Sequence, residues 1–353
     1  MKTSKIFNTG IIGFGMAGQF FHAPFIETSK GFNLKKISTR NPQSREKAKL
    51  IYPNAELVDT ADDIINDPSI DMVVVASPNK THYELTKAAL LAGKHVVVDK
   101  PFTSTTKEAD ELIALSKKMG RVLAVYQNRR FTSDFRTVTK ILESGILGRL
   151  VDYNVNYHLY RPALRENSWK EVDEAGTGIL YDLGSHIIDQ ALILFGMPQT
   201  VTANIQKQRT GTFIDDYFRI TLQYSGLSVN LNASYLTRKP GPTFELHGEK
   251  GSFVKYGMDI QEDTLKQEKM PDSPLWGKEP DEIQGTLVAE INGLPFTAKV
   301  QSECGNYGDL FKNVYEAITG QGELIVKPEL SRNNIYIIEL ATQSSKEKRT
   351  ITL

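Results

Sequence analysis

Continuous apolar runs alternate with amphipathic stretches through the first third of the chain. Residues 72–76 carry no polar side chain, which is the pattern of a parallel strand buried on both faces. Helix-start and helix-stop signals separate such runs, including a capping-box pattern at Thr81 and Glu84 and a stop at Gly120. The alternation predicts an α/β fold with a doubly wound parallel sheet over residues 1–127. The predicted strands are residues 9–12, 32–39, 72–76, 95–99 and 122–126, and the predicted helices include residues 44–50, 81–93 and 105–119.

The pattern changes after residue 127. Polar and apolar side chains then alternate along several segments, as in antiparallel strands with one solvated face. Residues 261–283 are polar and rich in Pro, Asp, Glu and Lys, which predicts a long surface loop. We therefore expect a second domain over residues 128–353, of α+β class with a large, mainly antiparallel open sheet. Its predicted strands are residues 151–159, 201–208, 217–224, 227–235, 244–247 and 252–255, and its predicted helices are residues 133–144, 179–194, 307–318 and 330–345.

Length, charge and cysteine content narrow the class of protein. The 353 residues suffice for two domains, and 42 basic residues balance 42 acidic ones. This balance gives no electrostatic basis for binding nucleic acid or an anionic membrane. Cys304 is the only cysteine, so an intrachain disulfide is excluded and a reducing compartment fits. Because no apolar run reaches the roughly 18 residues of a membrane span, we expect a cytoplasmic protein without membrane or nucleic-acid partners.

Three glycines with G-x-G-x-x-G spacing directly follow the first predicted strand. In a Rossmann-type turn the first glycine permits the turn, and the second lets the backbone approach a pyrophosphate. The third lets helix and strand pack closely. The following helix start offers unpaired N–H groups and a positive dipole end to the phosphates. The predicted cofactor-binding residues of this turn are Gly13, Phe14, Gly15, Met16, Ala17 and Gly18.

The end of the second predicted strand bears on which dinucleotide binds. An acid about 20 residues after the glycines would hydrogen-bond the 2′-hydroxyl of NAD. That position holds Ser38, Thr39 and Arg40 instead, and Arg45 follows one helical turn later. Hydroxyl and guanidinium groups can bind a 2′-phosphate, and no carboxylate is there to repel it. The sequence therefore predicts NADP(H); the alternative is an ordinary solvated arginine at a strand end.

Two further strand ends carry candidate cofactor contacts. Ligands of open α/β sheets bind beyond the carboxyl ends of the strands. The first strand end is followed by Ser77, Pro78, Asn79 and His82, and the second by Asp99, Lys100 and Pro101. A lysine in this position would point at the cofactor crevice.

The second domain contains an acid and a histidine four residues apart. Asp182 and His186 would share one face of a helix. They form either an ordinary helix pair or an orienting carboxylate with a proton-transfer histidine. A metal site would need a third ligand, and none stands at a telling spacing, so we predict no metal.

Taken together, these motifs resemble the Gfo/Idh/MocA oxidoreductase family, and the resemblance covers nearly the whole chain. Residues 178–196, 127–130 and 345–350 are similar in particular to its branch of NADP-dependent scyllo-inositol dehydrogenases. One departure is Asp99, where family members commonly carry Glu before the lysine. The shorter carboxylate keeps the charge, so it puts the rate in question more than the role of the lysine.

The resemblance implies residue roles. Lys100 and His186 would be the catalytic pair, with His186 taking the hydroxyl proton, Lys100 stabilising the alkoxide and Asp182 assisting or binding a substrate hydroxyl. Asn128 and Trp169 would approach the nicotinamide or the substrate. Tyr157, His158 and Tyr160 are candidate polyol contacts, or alternatively strand residues packed in the sheet. We expect His22, His95 and His247 to be structural.

The implied activity is reversible NADP(H)-dependent oxidation of a secondary alcohol in a cyclic polyol or sugar. Scyllo-inositol and its 2-keto form are the leading pair, and another sugar, such as an aldose or a deoxy-keto sugar, is the alternative. A non-catalytic NADP-binding regulator is a third possibility, which the presence of Lys100, Asp182 and His186 disfavours. The resemblance also implies a homodimer or homotetramer assembled through the second domain.

Overall fold

The computed structural model describes residues 5–166 and 168–353. The chain groups into two compact units. The first consists of Met1–Asn128, Gln261–Trp276 and Asn306–Arg332, and the second of Arg129–Ile260, Gly277–Gly305 and Asn333–Leu353.

A sheet of six parallel strands forms the centre of the first unit. The strands are β1 (Phe7–Ile12), β2 (Phe32–Ser38), β3 (Glu56–Val58), β4 (Met72–Val75), β5 (His95–Asp99) and β6 (Leu123–Tyr126). The helices between them are α1 (Ala23–Glu27), α2 (Pro42–Ile51), α3 (Asp62–Ile65), α4 (His82–Leu91) and α5 (Thr106–Met119). The strand order is β3-β2-β1-β4-β5-β6, which confirms the predicted doubly wound sheet. Every side chain of β4 is buried, because helices cover both faces of a parallel sheet.

The second unit contains a nine-stranded, mostly antiparallel sheet. Its strands are β7 (Leu150–His158), β8 (Thr200–Gln206), β9 (Tyr217–Tyr224), β10 (Leu227–Ser234), β11 (Phe244–Gly248), β12 (Gly251–Lys255), β13 (Gly285–Ile291), β14 (Leu294–Val300) and β15 (Ile351–Thr352). Their order is β14-β13-β12-β11-β7-β10-β9-β8-β15, and β7 pairs with β10 in parallel. The helices that precede and follow β7 in sequence are α6 (Ser133–Glu143) and α7 (Ser185–Phe195). The predicted α+β class is confirmed.

The hairpin of β13 and β14 was not predicted from the sequence. The first four residues of β14 are all exposed, so neither face of that part of the strand shows the alternation that marks a half-buried strand. Residues 261–283 also differ from the predicted long loop. They begin with a helix, α8 (Gln261–Lys266), and the indole N–H of Trp276 donates to Oε1 of Gln261 at 2.9 Å.

Residues 261–276 and 306–332 belong to the first unit, whereas the predicted division assigned them to the second domain. The second of these segments carries α9 (Gly308–Ile318). Phe311 of α9 lies 5.7 Å from the ring of Tyr126 and 6.2 Å from that of Phe32. The helix α9 therefore packs on the parallel sheet through aromatic contacts, although it is distant from that sheet in sequence.

The remaining helical segments are short, apart from α10 (Pro328–Glu347), within which the division between the units falls. Two are π turns, at Ala17–His22 and Leu180–Gly184, and four are 3₁₀ turns, at Asn79–Thr81, Asn128–Phe131, Trp169–Glu171 and Asp281–Ile283. In the described ranges, no helix is both long and apolar enough to cross a membrane.

One of the predicted helix caps is wrong. The hydroxyl of Thr81 donates to the carbonyl of Pro78 at 2.7 Å and does not cap α4, because a 3₁₀ turn leads directly into that helix. A capping box is present one helix later. Thr105 accepts from the backbone N–H of Glu108, and the Glu108 carboxylate accepts from that of Thr105.

A buried ion pair connects α7 to the turn before α6. Arg130 donates from Nε and Nη2 to the two carboxylate oxygens of Asp189, each at 2.6 Å. Their side chains are only 5% and 3% exposed. Removing one partner would leave the other charge buried and uncompensated, which is costly in a medium of low dielectric constant.

We therefore expect Asp189→Asn to lower the free energy of unfolding by about 3–5 kcal/mol. Urea denaturation monitored by circular dichroism measures this change. Glu249→Gln is the matched control, because its ion pair with Arg149 is more than half exposed on both sides (58% and 55%). The control should cost less than about 1 kcal/mol, and equal losses in the two variants would contradict the prediction.

Candidate active site

Two of the three glycines at the end of β1 leave no room for a side chain. A Cβ at Gly13 would lie 2.6 Å from the carbonyl oxygen of Ala76, and Gly13 has a φ of +94°. A Cβ at Gly18 would lie 2.2 Å from the carbonyl oxygen of Gly13. Gly15 is exposed and has nothing within 4 Å of such a position. The turn is thus tightly packed at its first and third glycines and accessible at its middle glycine, where a pyrophosphate can approach the backbone.

The other residues of this turn have different environments. Phe14 is buried, and its ring lies 6.1 Å from that of Tyr52, so only its backbone is available to a cofactor. Met16 is half exposed and Ala17 begins the π turn. The predicted helix start is therefore present, as a π turn leading into α1.

The end of β2 lies directly beside the glycine turn. The N–H of Gly13 donates to the carbonyl of Ser38 at 3.1 Å. Ser38 is buried, Thr39 is partly exposed and Arg40 is exposed. No hydrogen bond or ion pair engages the Arg40 guanidinium among the residues that the structure describes. Its donors are therefore available to an anionic group beside the turn.

Arg45, the other predicted phosphate contact, is engaged by the ends of neighbouring strands. Its Nη1 donates to the carbonyl of Thr39 at 2.9 Å and forms an ion pair with Asp59 at 2.6 Å. Longer contacts of 3.4 Å reach the carbonyls of Leu57 and Val58. The guanidinium thus connects the ends of β2 and β3.

His82 braces the ends of two neighbouring strands. Its Nε2 lies 3.0 Å from the carbonyl of Ser77 and its Nδ1 lies 2.8 Å from that of Pro101. The ring has no exposed surface, and burial lowers its pKa although the nearby Asp99 opposes this. We infer support of the Ser77 and Pro101 segments rather than direct cofactor contact. Ser77, Pro78 and Asn79 are partly exposed.

Lys100 follows the last residue of β5 and precedes a cis peptide bond to Pro101. Its backbone N–H donates to Oδ1 of Asp99 at 2.8 Å. The carboxyl ends of β1, β2, β4 and β5 thereby gather the glycine turn, Ser38, Ser77 and Lys100 at one edge of the first unit's sheet. Asn128 is buried in the 3₁₀ turn that follows β6.

In the second unit, Asp215 fixes the start of the segment that carries Asp182 and His186. Its Oδ2 accepts the backbone N–H of Leu180 at 2.8 Å. Gly178 has a φ of +91°, and a Cβ there would lie 2.0 Å from Oδ1 of Asp215. The sequence analysis missed this contact because the two residues are 37 positions apart. Position 178 therefore requires a glycine, because the Asp215 carboxylate occupies the space that a Cβ atom there would fill.

Two polar side chains hold the carboxylate of Asp182. Nζ of Lys170 lies 3.2 Å from Oδ1, and the hydroxyl of Tyr235 donates to Oδ2 at 3.4 Å. Burial, followed by the charge of Asp182, raises the pKa of Tyr235 well above its ordinary value. Neither Lys170 nor Tyr235 was a predicted site residue. The position of Lys170 directly after Trp169 was the one available hint.

His186 lies in the first turn of α7, about one turn after Asp182, and its side chain is nearly buried. The connection between the two residues passes through a π turn, whose i→i+5 hydrogen bonds make it wider than the predicted α-helix. π turns of this kind are frequent at functional sites. Trp169 is partly exposed, with Nζ of Lys170 5.7 Å from its ring.

The three candidate polyol contacts, two on β7 and one just after it, do not share an environment. Tyr157 is 1% exposed, and burial raises the pKa of its hydroxyl. His158 is the next residue of the strand and therefore points to the opposite face, where burial first and Arg219 second lower its pKa. Tyr160 is exposed, with the guanidinium of Arg238 4.2 Å from its ring. For Tyr157 the structure matches the alternative of a residue packed in the sheet.

Within the described ranges, no group of three or more His, Cys, Asp or Glu side chains could hold a metal ion.

Comparison with protein families matches both parts of the chain. Residues 7–127 match the description "Oxidoreductase family, NAD-binding Rossmann fold", and residues 139–353 match "Oxidoreductase family, C-terminal alpha/beta domain". The first unit is therefore an NAD(P)-binding Rossmann domain in its sequence as well as in its fold.

Similar proteins extend over nearly the whole length. The scyllo-inositol 2-dehydrogenase (NADP(+)) IolW of Bacillus subtilis is 41% identical over 344 residues, which cover 98% of this chain and 95% of the relative. The solved structure of the oxidoreductase yvaA from Bacillus subtilis has a TM-score of 0.95 at 40% identity and covers 100% of both chains. A D-glucoside 3-dehydrogenase of Escherichia coli is 31% identical over 60% of each chain.

The position of Asp215 generates a prediction about pH and stability. Burial raises its pKa from 3.8 to about 6, although the N–H of Leu180 opposes this. A carboxyl whose pKa is higher in the folded state stabilises the fold fully below the unfolded pKa. That stability is lost as the pH rises through the folded value.

Between pH 4 and pH 7, Asp215 should therefore remove up to about 3 kcal/mol from the free energy of unfolding. Asp215→Asn keeps an oxygen acceptor for Leu180 and cannot ionise, so it should abolish this component of the pH dependence. Urea denaturation of both proteins at several pH values measures it. Parallel stability curves for wild type and variant would contradict the prediction.

Proposed function

Because the chain belongs to the Gfo/Idh/MocA oxidoreductase family, we propose that it is an NADP(H)-dependent dehydrogenase that reversibly oxidises a secondary alcohol of a cyclic polyol or sugar to the ketone. The best candidate substrate is scyllo-inositol, with 2-keto-inositol as the product. The similarity to the scyllo-inositol 2-dehydrogenase of Bacillus subtilis supports this choice of substrate and cofactor.

The observation that carries the proposal is the arrangement of Asp182 and His186. Lys170 and Tyr235 hold the carboxylate, and the histidine follows about one helical turn later. Oxidation of a secondary alcohol needs a base for the hydroxyl proton and a group that orients the substrate. A held carboxylate beside a nearly buried histidine meets both needs.

Each residue has a role in the proposed reaction. His186 takes the hydroxyl proton, and the ammonium group of Lys100 stabilises the charge that develops on the alcohol oxygen. Asp182 binds a neighbouring hydroxyl of the substrate or orients the catalytic groups. Bound NADP supplies the hydride acceptor, so neither a metal nor a covalent intermediate is needed.

The exposed Arg40 supports NADP(H) over NAD(H) as the cofactor. Its exposed guanidinium can donate two parallel N–H groups to a 2′-phosphate, and the partly exposed Thr39 and the buried Ser38 precede it with hydroxyl groups. Gly15 leaves the open approach that the pyrophosphate requires. The residues at the carboxyl edge of the first unit's sheet thus fit a dinucleotide.

A second candidate is the dehydrogenation of another sugar, which the similarity to a D-glucoside 3-dehydrogenase favours. A non-catalytic NADP-binding regulator is the remaining alternative. Screening inositols, aldoses and glucosides with NADP+ and following nicotinamide absorbance separates the three. Turnover of scyllo-inositol supports the proposal, preference for another sugar replaces the substrate, and no turnover of any of them favours the regulator. The homo-oligomeric state stays a prediction, which light scattering of the purified protein tests.

For cofactor choice, Arg40→Ala should raise the Michaelis constant for NADP+ by about one to two decades and leave that for NAD+ nearly unchanged. The reason is that hydrogen bonds to charged groups contribute about 1.5–3 kcal/mol. Steady-state kinetics with both cofactors at one salt concentration measure the ratio. Arg45→Ala is the control, since Arg45 is engaged by backbone carbonyls, and it should not change the ratio. A wild-type preference for NAD+ would overturn the assignment.

For proton transfer, His186→Ala should lower kcat by about 10²–10⁴-fold, the usual contribution of a general base. The dissociation constant for NADPH, measured by fluorescence titration, should stay near that of the wild type. His247→Ala is a matched control because His247 lies on β11 and bonds Ser252 at 2.9 Å, and it should retain full turnover. A His186→Ala enzyme with most of its turnover would return Asp182 and His186 to the role of a structural pair.

A further inference from the structure

His22 is a buried histidine that the proposed reaction does not use. It is the last residue of the π turn after the glycines and has no exposed surface. Neither of its ring nitrogens has a hydrogen-bond partner among the described residues. Buried polar atoms are nearly always paired, so a histidine with two unpaired nitrogens requires an explanation.

Aromatic packing fixes the orientation of the His22 ring. The ring lies 4.2 Å from that of Tyr126 and meets the ring of Phe311 edge-on at 6.1 Å. In this position its Nε2 is 3.7 Å from Oδ2 of Asp99. The distance is slightly too long for a hydrogen bond, but it is short enough for the N–H dipole or charge of the ring to act on the carboxylate. The carboxylate is the polar group that Nε2 faces.

Asp99 links this histidine to the proposed catalytic lysine. One carboxylate oxygen faces His22, and the other accepts the backbone N–H of Lys100 at 2.8 Å. The side chain of Asp99 is 14% exposed and closes the end of β5. A change in its orientation would therefore move the peptide that carries Lys100.

The charges around Asp99 keep it ionised. Burial alone would raise its pKa, but the contacts of His22, followed by the charges of Lys100 and His82, lower the pKa below its ordinary value. Both ring nitrogens of His82 lie against backbone carbonyls, so His82 acts on Asp99 only through space. The charge of Asp99 also acts on Tyr126, whose pKa is raised by burial first and by Asp99 second, while its hydroxyl donates to the carbonyl of Phe21.

We propose that His22 is a positioning residue for Lys100. Its Nε2 faces the carboxylate of Asp99 at 3.7 Å and acts on it electrostatically, and Asp99 fixes the peptide and the electrostatic environment of the lysine. The inference rests on the proposed function for the catalytic role of Lys100, whereas the contacts from His22 to Asp99 and from Asp99 to the backbone of Lys100 are independent of the substrate.

A matched pair of variants tests the proposal. Glutamine and methionine have nearly the same length and volume, but only glutamine carries an N–H donor near the place of Nε2. We expect His22→Met to lower kcat by about tenfold to a hundredfold, as for a catalytic group displaced by about 1 Å, with an unchanged Michaelis constant for the cofactor. His22→Gln should recover most of the turnover. If His22 only packs, the two variants have equal kcat.

A second measurement follows Lys100 without turnover. Competitive labelling of the cofactor-free protein with acetic anhydride at one fixed pH, read by mass spectrometry, gives the reactivity of the lysine amine. In His22→Met the charge of Asp99 is less compensated, which makes the amine less reactive. Labelling of Lys100 should therefore be slower in His22→Met than in the wild type and near the wild-type rate in His22→Gln. In an Asp99→Asn background, His22→Met should cause no further change.

The outcomes separate failure of this inference from failure of the proposed function. Equal kcat and equal labelling rates of Lys100 in the two variants overturn the positioning role. If the wild type oxidises no polyol or sugar, the proposed function fails and the labelling result alone decides. If His22→Met does not fold, ¹⁵N chemical shifts of His22 in the wild type decide. A proton on Nε2 supports the proposal, and a neutral ring protonated only on Nδ1 overturns it.

Discussion

The arrangement of the first unit depends on close backbone packing at the glycine turn. At Gly13 and Gly18 even a Cβ atom would overlap a carbonyl oxygen, so the turn brings β1 close to the residue after β4 and closes back on itself. Gly15 differs because its surroundings are open. The turn is therefore tightly packed at Gly13 and Gly18, while the backbone at Gly15 stays accessible. A pyrophosphate needs such an accessible backbone in order to approach the N–H groups of the turn.

The second unit positions its polar groups by a comparable device. The carboxylate of Asp215 occupies the space that a side chain at Gly178 would fill, and it receives the first free N–H of the helical segment. The segment then presents Asp182 to Lys170 and Tyr235. Because Asp215 is buried, its carboxylate lowers the free energy of unfolding at neutral pH. In return, Asp215 fixes the start of the segment that carries the proposed base.

Residues of one type take different roles here according to the contacts available to them. Arg40 and Arg45 are five positions apart. The Arg45 guanidinium donates to carbonyls at the ends of neighbouring strands, whereas the Arg40 side chain is exposed to solvent. His22 and His82 are both buried, and only His82 lies between two carbonyl acceptors. The role of an arginine or histidine at a strand end therefore depends on whether neighbouring strands place hydrogen-bond acceptors within its reach.

The sequence by itself determined the doubly wound sheet, the glycine turn, the family and the helical character of the segment that carries Asp182 and His186, because local periodicity and short motifs encode these features. Tertiary structure alone decided the contacts that join distant residues. Asp215 at Gly178 and Tyr235 at Asp182 have no local signal, and neither does the return of Phe311 to the first sheet. Such contacts depend on how layers pack after the elements form, and a side chain's exposure, donor partners and pKa are set by that packing rather than by its neighbours in sequence.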